Sequence, residues 1–204
     1  MLLLMANAKP SRMGFVLAGG KSSRMGSDKA FLETDGQTLL DRALDALDVV
    51  CSCVKIVGDP DKFAKYESTK FGRAVADIFP ACGPLGGIHA ALAQSSAELN
   101  LMLAVDMPFV SSELLEFLFK AAGNARDAVV TVPRTSYGLQ PLCAVYRRDF
   151  SAVAEQQLRA GNYRIDAAFA DLPKRLIEAD ELEGAGFSER SFFNVNTPQD
   201  WMRL

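Results

Sequence analysis

The stretch with the clearest chemistry is Phe15-Val16-Leu17-Ala18-Gly19-Gly20-Lys21-Ser22-Ser23-Arg24-Met25-Gly26-Ser27-Asp28-Lys29. A short apolar run ends in two adjacent glycines, Gly19 and Gly20, and three cations follow, Lys21, Arg24 and Lys29. Glycine lets a backbone approach a ligand closely, and successive N–H groups form a concavity that binds anions. Cations in the same loop neutralise a polyphosphate, and a helix N-terminus beyond it adds to the field. These residues read as a nucleotide-phosphate loop at the carboxyl end of a first strand; a solvated surface turn is the plain alternative. Fine spacing disfavours two familiar versions. A G-x-x-x-x-G-K-[ST] loop needs glycine where Phe15 stands, and no G-x-G-x-x-G occurs because Gly19 and Gly20 are adjacent. A kinase, an ATPase or a hydride-transfer enzyme fits poorly.

Asp106 is the second chemical point. It closes Leu101-Met102-Leu103-Ala104-Val105, the most continuously apolar run, and is followed by Met107-Pro108. Ligands of open α/β sheets bind at the carboxyl ends of strands. A hard carboxylate there suits Mg²⁺ shared with triphosphate oxygens; capping of the next turn is the alternative. Asp77 stands similarly after Ala74-Val75-Ala76 and before Gly83-Pro84-Leu85-Gly86-Gly87, a rigid turn with room for a base or ribose. Gln140-Pro141 and Asn194-Val195-Asn196 offer amides that recognise a polar ligand or bond their own backbone. His89, the single histidine, falls in a predicted helix and reads as structural. Scarce histidine argues against chemistry that needs a general base near neutral pH. A phosphate monoester nucleophile needs no such base, because it is largely a dianion there. Positioning, cations and Mg²⁺ then suffice.

These residues need a frame of alternating strands and helices. Leu39, Leu40, Ala43, Leu44 and Leu47 recur at helical spacing, which predicts a helix over 38–47. Short strands are predicted at 54–57, 74–77, 101–105 and 128–132, with helices from about 88 to 94 and over 112–122. Such alternation argues for a parallel sheet covered on both faces. Further on, 139–146 and 175–178 read as strands and 150–159 as a helix. Thr197 caps a last helix with Pro198 at its first position. The acidic, glycine-containing segment 180–190 is the expected mobile loop.

Bulk properties agree with a soluble enzyme. The 204 residues are 49% hydrophobic and 23% charged, with net charge −3. The pI near 5.3 gives no overall basic footprint for nucleic acid. No run approaches the length of a membrane span, and the apolar start Met1–Ala6 is too short for a signal sequence. The four cysteines have no metal-ligating spacing and suit a reducing cytoplasm. Residues 1–13 read as a loose N-terminal extension and 14–204 as a single domain, with 14–133 a nucleotide-binding half and 134–204 an acceptor-binding half.

Taken in order, the loop Leu17-Ala18-Gly19-Gly20…Arg24-Met25-Gly26…Asp28-Lys29, Asp77, the Gly83-Pro84-Leu85 turn, Asp106-Met107-Pro108, Gln140-Pro141-Leu142 and Asn194-Val195-Asn196-Thr197-Pro198 make the chain resemble the molybdenum cofactor guanylyltransferase family from residue 14 to 204. The resemblance implies a Rossmann-like, three-layer α/β nucleotidyltransferase fold with a mostly parallel central sheet. It implies Mg²⁺-dependent transfer of GMP from GTP to molybdenum-molybdopterin, yielding the guanine dinucleotide cofactor and pyrophosphate. By matching position, Leu17, Ala18, Gly19, Gly20, Lys29, Asp77 and Asp106 would contact GTP, and Asp106 would also ligate Mg²⁺. Arg24 would join Lys29 and Asp106 in catalysis, and Gln140, Asn194 and Asn196 would face the pterin. Ala-Gly-Gly, in place of the Ala-Ala-Gly of related cytidylyltransferases, favours GTP over CTP. Members often carry Asn after the second strand; here Val57-Gly58-Asp59 leaves base recognition to backbone groups or to Asp59. A molybdenum-insertion protein and molybdoenzyme chaperones are the implied protein partners, in the cytoplasm. A relative using CTP or a sugar-phosphate acceptor, or a catalytically silent nucleotide-binding protein, are the rival readings.

Overall fold

The computed structural model describes residues 11–19 and 28–202. Its elements run β1 (Arg12–Leu17), β2 (Glu33–Thr34), β3 (Gln37–Thr38), α1 (Leu39–Asp48), β4 (Cys53–Val57), α2 (Pro84–Gln94), β5 (Leu99–Ala104), α3 (Ser112–Asn124), β6 (Val130–Thr135), β7 (Gly138–Leu139), β8 (Cys143–Arg147), α4 (Phe150–Arg159), α5 (Ile165–Ala168), β9 (Lys174–Ile177), α6 (Ala179–Gly184) and α7 (Pro198–Trp201). β2 and β3 form a small hairpin, and the other seven strands make one sheet.

In that sheet the order is β4-β1-β5-β8-β6-β7, with β9 also on β6. β1 lies parallel to β4 and to β5, with Leu17 opposite Val57 and Ala104. β8 enters antiparallel between β5 and β6, and β9 pairs parallel with β6. β4, β1, β5, β6 and β9 therefore share a direction, which makes the sheet mixed with a mostly parallel centre. The chain first steps from β1 through α1 to β4, then returns past β1 through α2 to β5. Crossovers in opposite directions with one handedness put their helices on opposite faces, and a crevice opens where the order reverses.

Side-chain alternation builds the two cores. On one face Val16, Leu101 and Leu103 pack with Leu40 and Leu44 of α1 and Leu114 and Leu118 of α3. On the other, Phe15 and Met102 meet Leu85, Ile88 and Leu92 of α2 and Phe150 of α4. Each fully buried Leu or Phe here contributes about 1.5–3 kcal/mol relative to exposure. α1 starts where the caps say it should: Thr38 Oγ1 accepts from Asp41 N at 3.0 Å. Ser111 caps α3, and Thr197 and Asp200 form a reciprocal capping box on α7.

Five expectations are corrected. The strand expected at 74–77 is a single bridge, Val75 against Val57, because the chain touches the edge of β4 for one residue and turns away. The run 139–146 divides into β7 and β8 around Pro141, which has no N–H for a ladder. α2 begins at Pro84, four residues before the expected start at 88, with Gly83 at φ +67° as its cap and Pro84 in its first turn. The expected mobile loop at 180–190 contains α6, and Phe187 sits 5.5 Å from Phe117 between ring centroids while Leu182 is buried. Its apolar residues outweigh the acidic composition that suggested a loop. β1 also begins at Arg12, ahead of the expected boundary at residue 14.

Candidate active site

The crevice is framed by the carboxyl ends of β1, β4 and β5. Ala18 N donates to Val57 O at 2.9 Å, and Val105 N donates to Leu17 O at 3.2 Å, so the three strand ends are knitted together. Gly58 packs directly on this junction. A Cβ at Gly58 would come within 2.8 Å of the Phe63 ring and 3.3 Å of Gly19 N. Gly58→Ala is therefore expected to destabilise the protein by roughly 1–3 kcal/mol, the usual cost of overpacking, read as a shifted urea midpoint. Gly58 also sits at φ +157°, so an unchanged midpoint would show that both the Phe63 contact and the backbone conformation are accommodated freely.

Leu17, Ala18 and Gly19 lie at this junction as expected. Asp77 stands beside Gly19 and Gly87: a Cβ on Gly19 would lie 3.9 Å from Asp77 Oδ2, and one on Gly87 3.8 Å from Oδ1. Desolvation by the surrounding chain raises the Asp77 pKa above the ordinary carboxylate value. Gly20 and Arg24, together with Lys21, fall outside the described residues.

Lys29 sits at the centre. It opens a 3₁₀ turn, Lys29–Phe31, whose cap is Asp28: Oδ1 accepts from Ala30 N at 3.1 Å. From there Lys29 Nζ donates to Asp106 Oδ2 at 3.1 Å and to Asn196 Oδ1 at 2.7 Å. The Lys29 and Asp106 side chains are only 17% and 19% exposed, so this pair is less screened than a surface salt bridge. Asn196 is delivered by the backbone, because Val195 N donates to Asp106 O at 2.9 Å and pins the C-terminal segment to the end of β5. Three segments distant in sequence thus present one cation, one carboxylate and one amide to the crevice.

The remaining predicted residues are spent locally. Gln140 Nε2 donates to Thr135 Oγ1 at 3.0 Å and Gly138 O at 3.3 Å, within its own hairpin. Asn194 Nδ2 donates to Phe192 O at 3.1 Å, so the two amides of 194–196 have different partners. His89 is buried on α2 with its ring 5.1 Å from Phe79, and burial lowers its pKa, in keeping with a structural role. Burial pushes the Cys143 thiol up to about 12 and does the same to Cys51, which removes both as nucleophiles at neutral pH.

The sequence reading passed over Lys62. Its Nζ lies 2.5 Å from Asp28 Oδ2 and donates to Ala18 O at 3.3 Å. A lone lysine in a turn after β4 carries no spacing signal; only the fold brings it to the opening loop.

The donor set bears on a metal. Among the described residues no group of three or more His, Cys, Asp and Glu side chains could cage an ion. Asp106 offers a hard oxygen at the end of β5. Mg²⁺ keeps several waters and is held by one or two carboxylates plus substrate phosphates, so this sparse set fits it and does not fit zinc.

Comparison with known proteins finds relatives that span nearly the whole chain. Residues 14–175 match the MobA-like NTP transferase domain. The chain is 34% identical over 191 residues to a probable molybdenum cofactor guanylyltransferase of Pelotomaculum thermopropionicum, covering 93% of this chain and 90% of that one. It is also 34% identical over 190 residues to the molybdenum cofactor guanylyltransferase of Desulfosudis oleivorans, covering 92% and 91%. The crystal structure of molybdopterin-guanine dinucleotide biosynthesis protein A from Archaeoglobus fulgidus superposes with a TM-score of 0.79 at 28% identity, covering 94% of this chain and 95% of that one.

Proposed function

Since the chain belongs to the MobA-like NTP transferase family and is a nucleotidyltransferase, we propose that it transfers GMP from GTP to the terminal phosphate of molybdenum-bound molybdopterin. The observation that carries the reading is Lys29 Nζ held between Asp106 and Asn196 at the carboxyl end of β5. An acceptor phosphate, a dianion at neutral pH, attacks the α-phosphorus of GTP. A new P–O bond forms, the α–β anhydride bond breaks, and its electron pair leaves on pyrophosphate. No proton must be removed from the nucleophile, which matches a site with a carboxylate and cations and no accessible histidine.

The chain's own groups divide the work. Backbone at Leu17–Gly19 approaches the nucleotide, and Asp77 beside Gly19 contacts its sugar or base. Lys29 offsets charge that grows on the departing pyrophosphate, with Arg24 as its partner in that role. Asp106 would hold Mg²⁺, which when bound neutralises phosphate charge and polarises the phosphoryl oxygens. Asn196 fixes the direction of the Lys29 ammonium, and it is proposed to face the acceptor together with Gln140 and Asn194. In this reading 14–133 serves the nucleotide and 134–204 the acceptor.

The chain's proposed place is the cytoplasm, beside a molybdenum-insertion protein or molybdoenzyme chaperones; the four free thiols suit a reducing compartment. The test is pyrophosphate release with Mg²⁺, molybdopterin acceptor and either GTP or CTP. Release is expected with GTP; release with CTP but not GTP would overturn the guanylyl assignment.

A further inference from the structure

Lys62 is not a member of the Lys29–Asp106–Asn196 triangle, yet it joins the segments that frame it. Ala18 ends the first strand's approach to the crevice, and Asp28 immediately precedes Lys29. Lys62 Nζ reaches both, lying 2.5 Å from Asp28 Oδ2 and donating to Ala18 O at 3.3 Å. Asp28 is thereby used twice, because its other oxygen caps the Lys29 turn through Ala30 N at 3.1 Å.

Lys62 is itself well held. It projects from a turn in which Asp61 N donates to Asp59 Oδ1 at 2.9 Å and Phe63 N to Asp59 O at 3.3 Å. Its ammonium sits 4.6 Å from the Phe63 ring centroid, and its side chain is 21% exposed. An ammonium has three donors and no acceptor. The Ala18 carbonyl, the Asp28 carboxylate and the face of Phe63 surround this one, which commits it to the protein and not to a phosphate.

We infer that Lys62 is a positioning residue for nucleotidyl transfer: it neutralises Asp28 and ties the Lys29 turn to the end of β1. Without that cation the Asp28 carboxylate stands unbalanced next to Lys29. It then competes with the nucleotide phosphates for the Lys29 ammonium and repels their charge. The turn also loses its link to the strand that sets the height of the nucleotide in the crevice. This assignment rests on the nucleotidyltransferase reading, and it concerns nucleotide binding more than the chemical step.

The test compares the full-length chain with Lys62→Met, Lys62→Arg and the double variant Lys62→Met/Asp28→Asn, measuring kcat and the KM for the nucleotide together with thermal melts. Lys62→Met is expected to raise the KM about tenfold with kcat within about threefold, a size typical of coupled pairs. Lys62→Arg keeps the charge and restores the KM. The double variant recovers most of the loss, because Asn still caps Ala30 but carries no charge. An unchanged KM in Lys62→Met, or a double variant no better than the single one, overturns the assignment. Where Lys62→Met does not fold, Lys62→Gln reads the charge alone: a raised KM supports the role and an unchanged KM overturns it. The assays run with GTP and with CTP, so that a chain preferring CTP overturns the guanylyl reading while the Lys62 comparison is read on CTP.

Discussion

Asp106→Asn is expected to lower kcat about 100- to 1,000-fold, the range seen when one preorganised electrostatic group is removed from a transition state. Asn has the same shape and retains an oxygen that accepts from Lys29 Nζ, now 3.1 Å from Oδ2, so the fold is expected to keep its melting temperature within a few degrees. What is lost is the formal charge. A neutral amide binds a hard divalent cation poorly, and the metal then no longer couples the strand end to the triphosphate. Steady-state pyrophosphate release over a series of Mg²⁺ concentrations checks this: the variant should need far more Mg²⁺ and still turn over slowly. Normal turnover at ordinary Mg²⁺ would remove Asp106 from the catalytic centre and would favour a catalytically silent nucleotide-binding protein.

Lys29→Ala is expected to damage binding and catalysis together, lowering kcat/KM by about 1,000-fold or more. A hydrogen bond to a charged group contributes about 1.5–3 kcal/mol, and here the same ammonium serves the bound triphosphate and the charge that develops on pyrophosphate. Its loss has a second cost. The Asp106 carboxylate, 19% exposed, would lose the ammonium that offsets it, adding repulsion where the phosphates must sit. Lys29→Arg should rescue only in part, because a guanidinium fixes its donors in a planar fork, whereas the compact ammonium turns separate N–H groups toward Asp106 and Asn196. Separate kcat and KM values for both variants decide the matter; unchanged kinetics in Lys29→Ala would remove it from the site.

The two substitutions probe one ion pair from its two ends, so their effects should not add. Lys29→Ala removes the Lys29–Asp106 contact and Asp106→Asn strips it of its charge, so the double variant should cost well under the product of the separate losses. Gly58 lies close to the opening strand and makes no contact with that ion pair; its substitution acts through packing and through its positive φ of +157°, so its effect should add independently.

Much of this was readable in the chain because the causes are local. Adjacent glycines at 19 and 20, cations nearby and a carboxylate closing an apolar run are short-range features that suggest a phosphate site without any fold. The 3.6-residue recurrence of Leu40, Leu44 and Leu47, with Thr38 ahead of it, specified α1 because cap and stripe reinforce each other. β5 was readable because a strand covered on both faces is apolar at every position.

What failed did so where a distant partner outweighed a local signal. The acidic stretch after residue 180 resembles a loop until Leu182 and Phe187 find the sheet-facing core. The Gly83–Gly87 stretch reads as a turn until its last four residues prove to be the start of a helix packed over Leu17. The antiparallel entry of β8 between β5 and β6 carries no local mark, since strand pairing is chosen by whichever edges are free when the chain returns.

Sequence alone determined the kinds of group available: a glycine-lined loop, cations, a strand-end aspartate and a nearly histidine-free chemistry. Tertiary structure decided which of them meet. Lys29 bonds Asp106 across 77 residues and Asn196 across 167, and Lys62 reaches Ala18 across 44. Such contacts are set by the order of strands in the sheet and the side on which each crossover returns. Those depend on the burial of the whole core, which no short stretch of residues encodes.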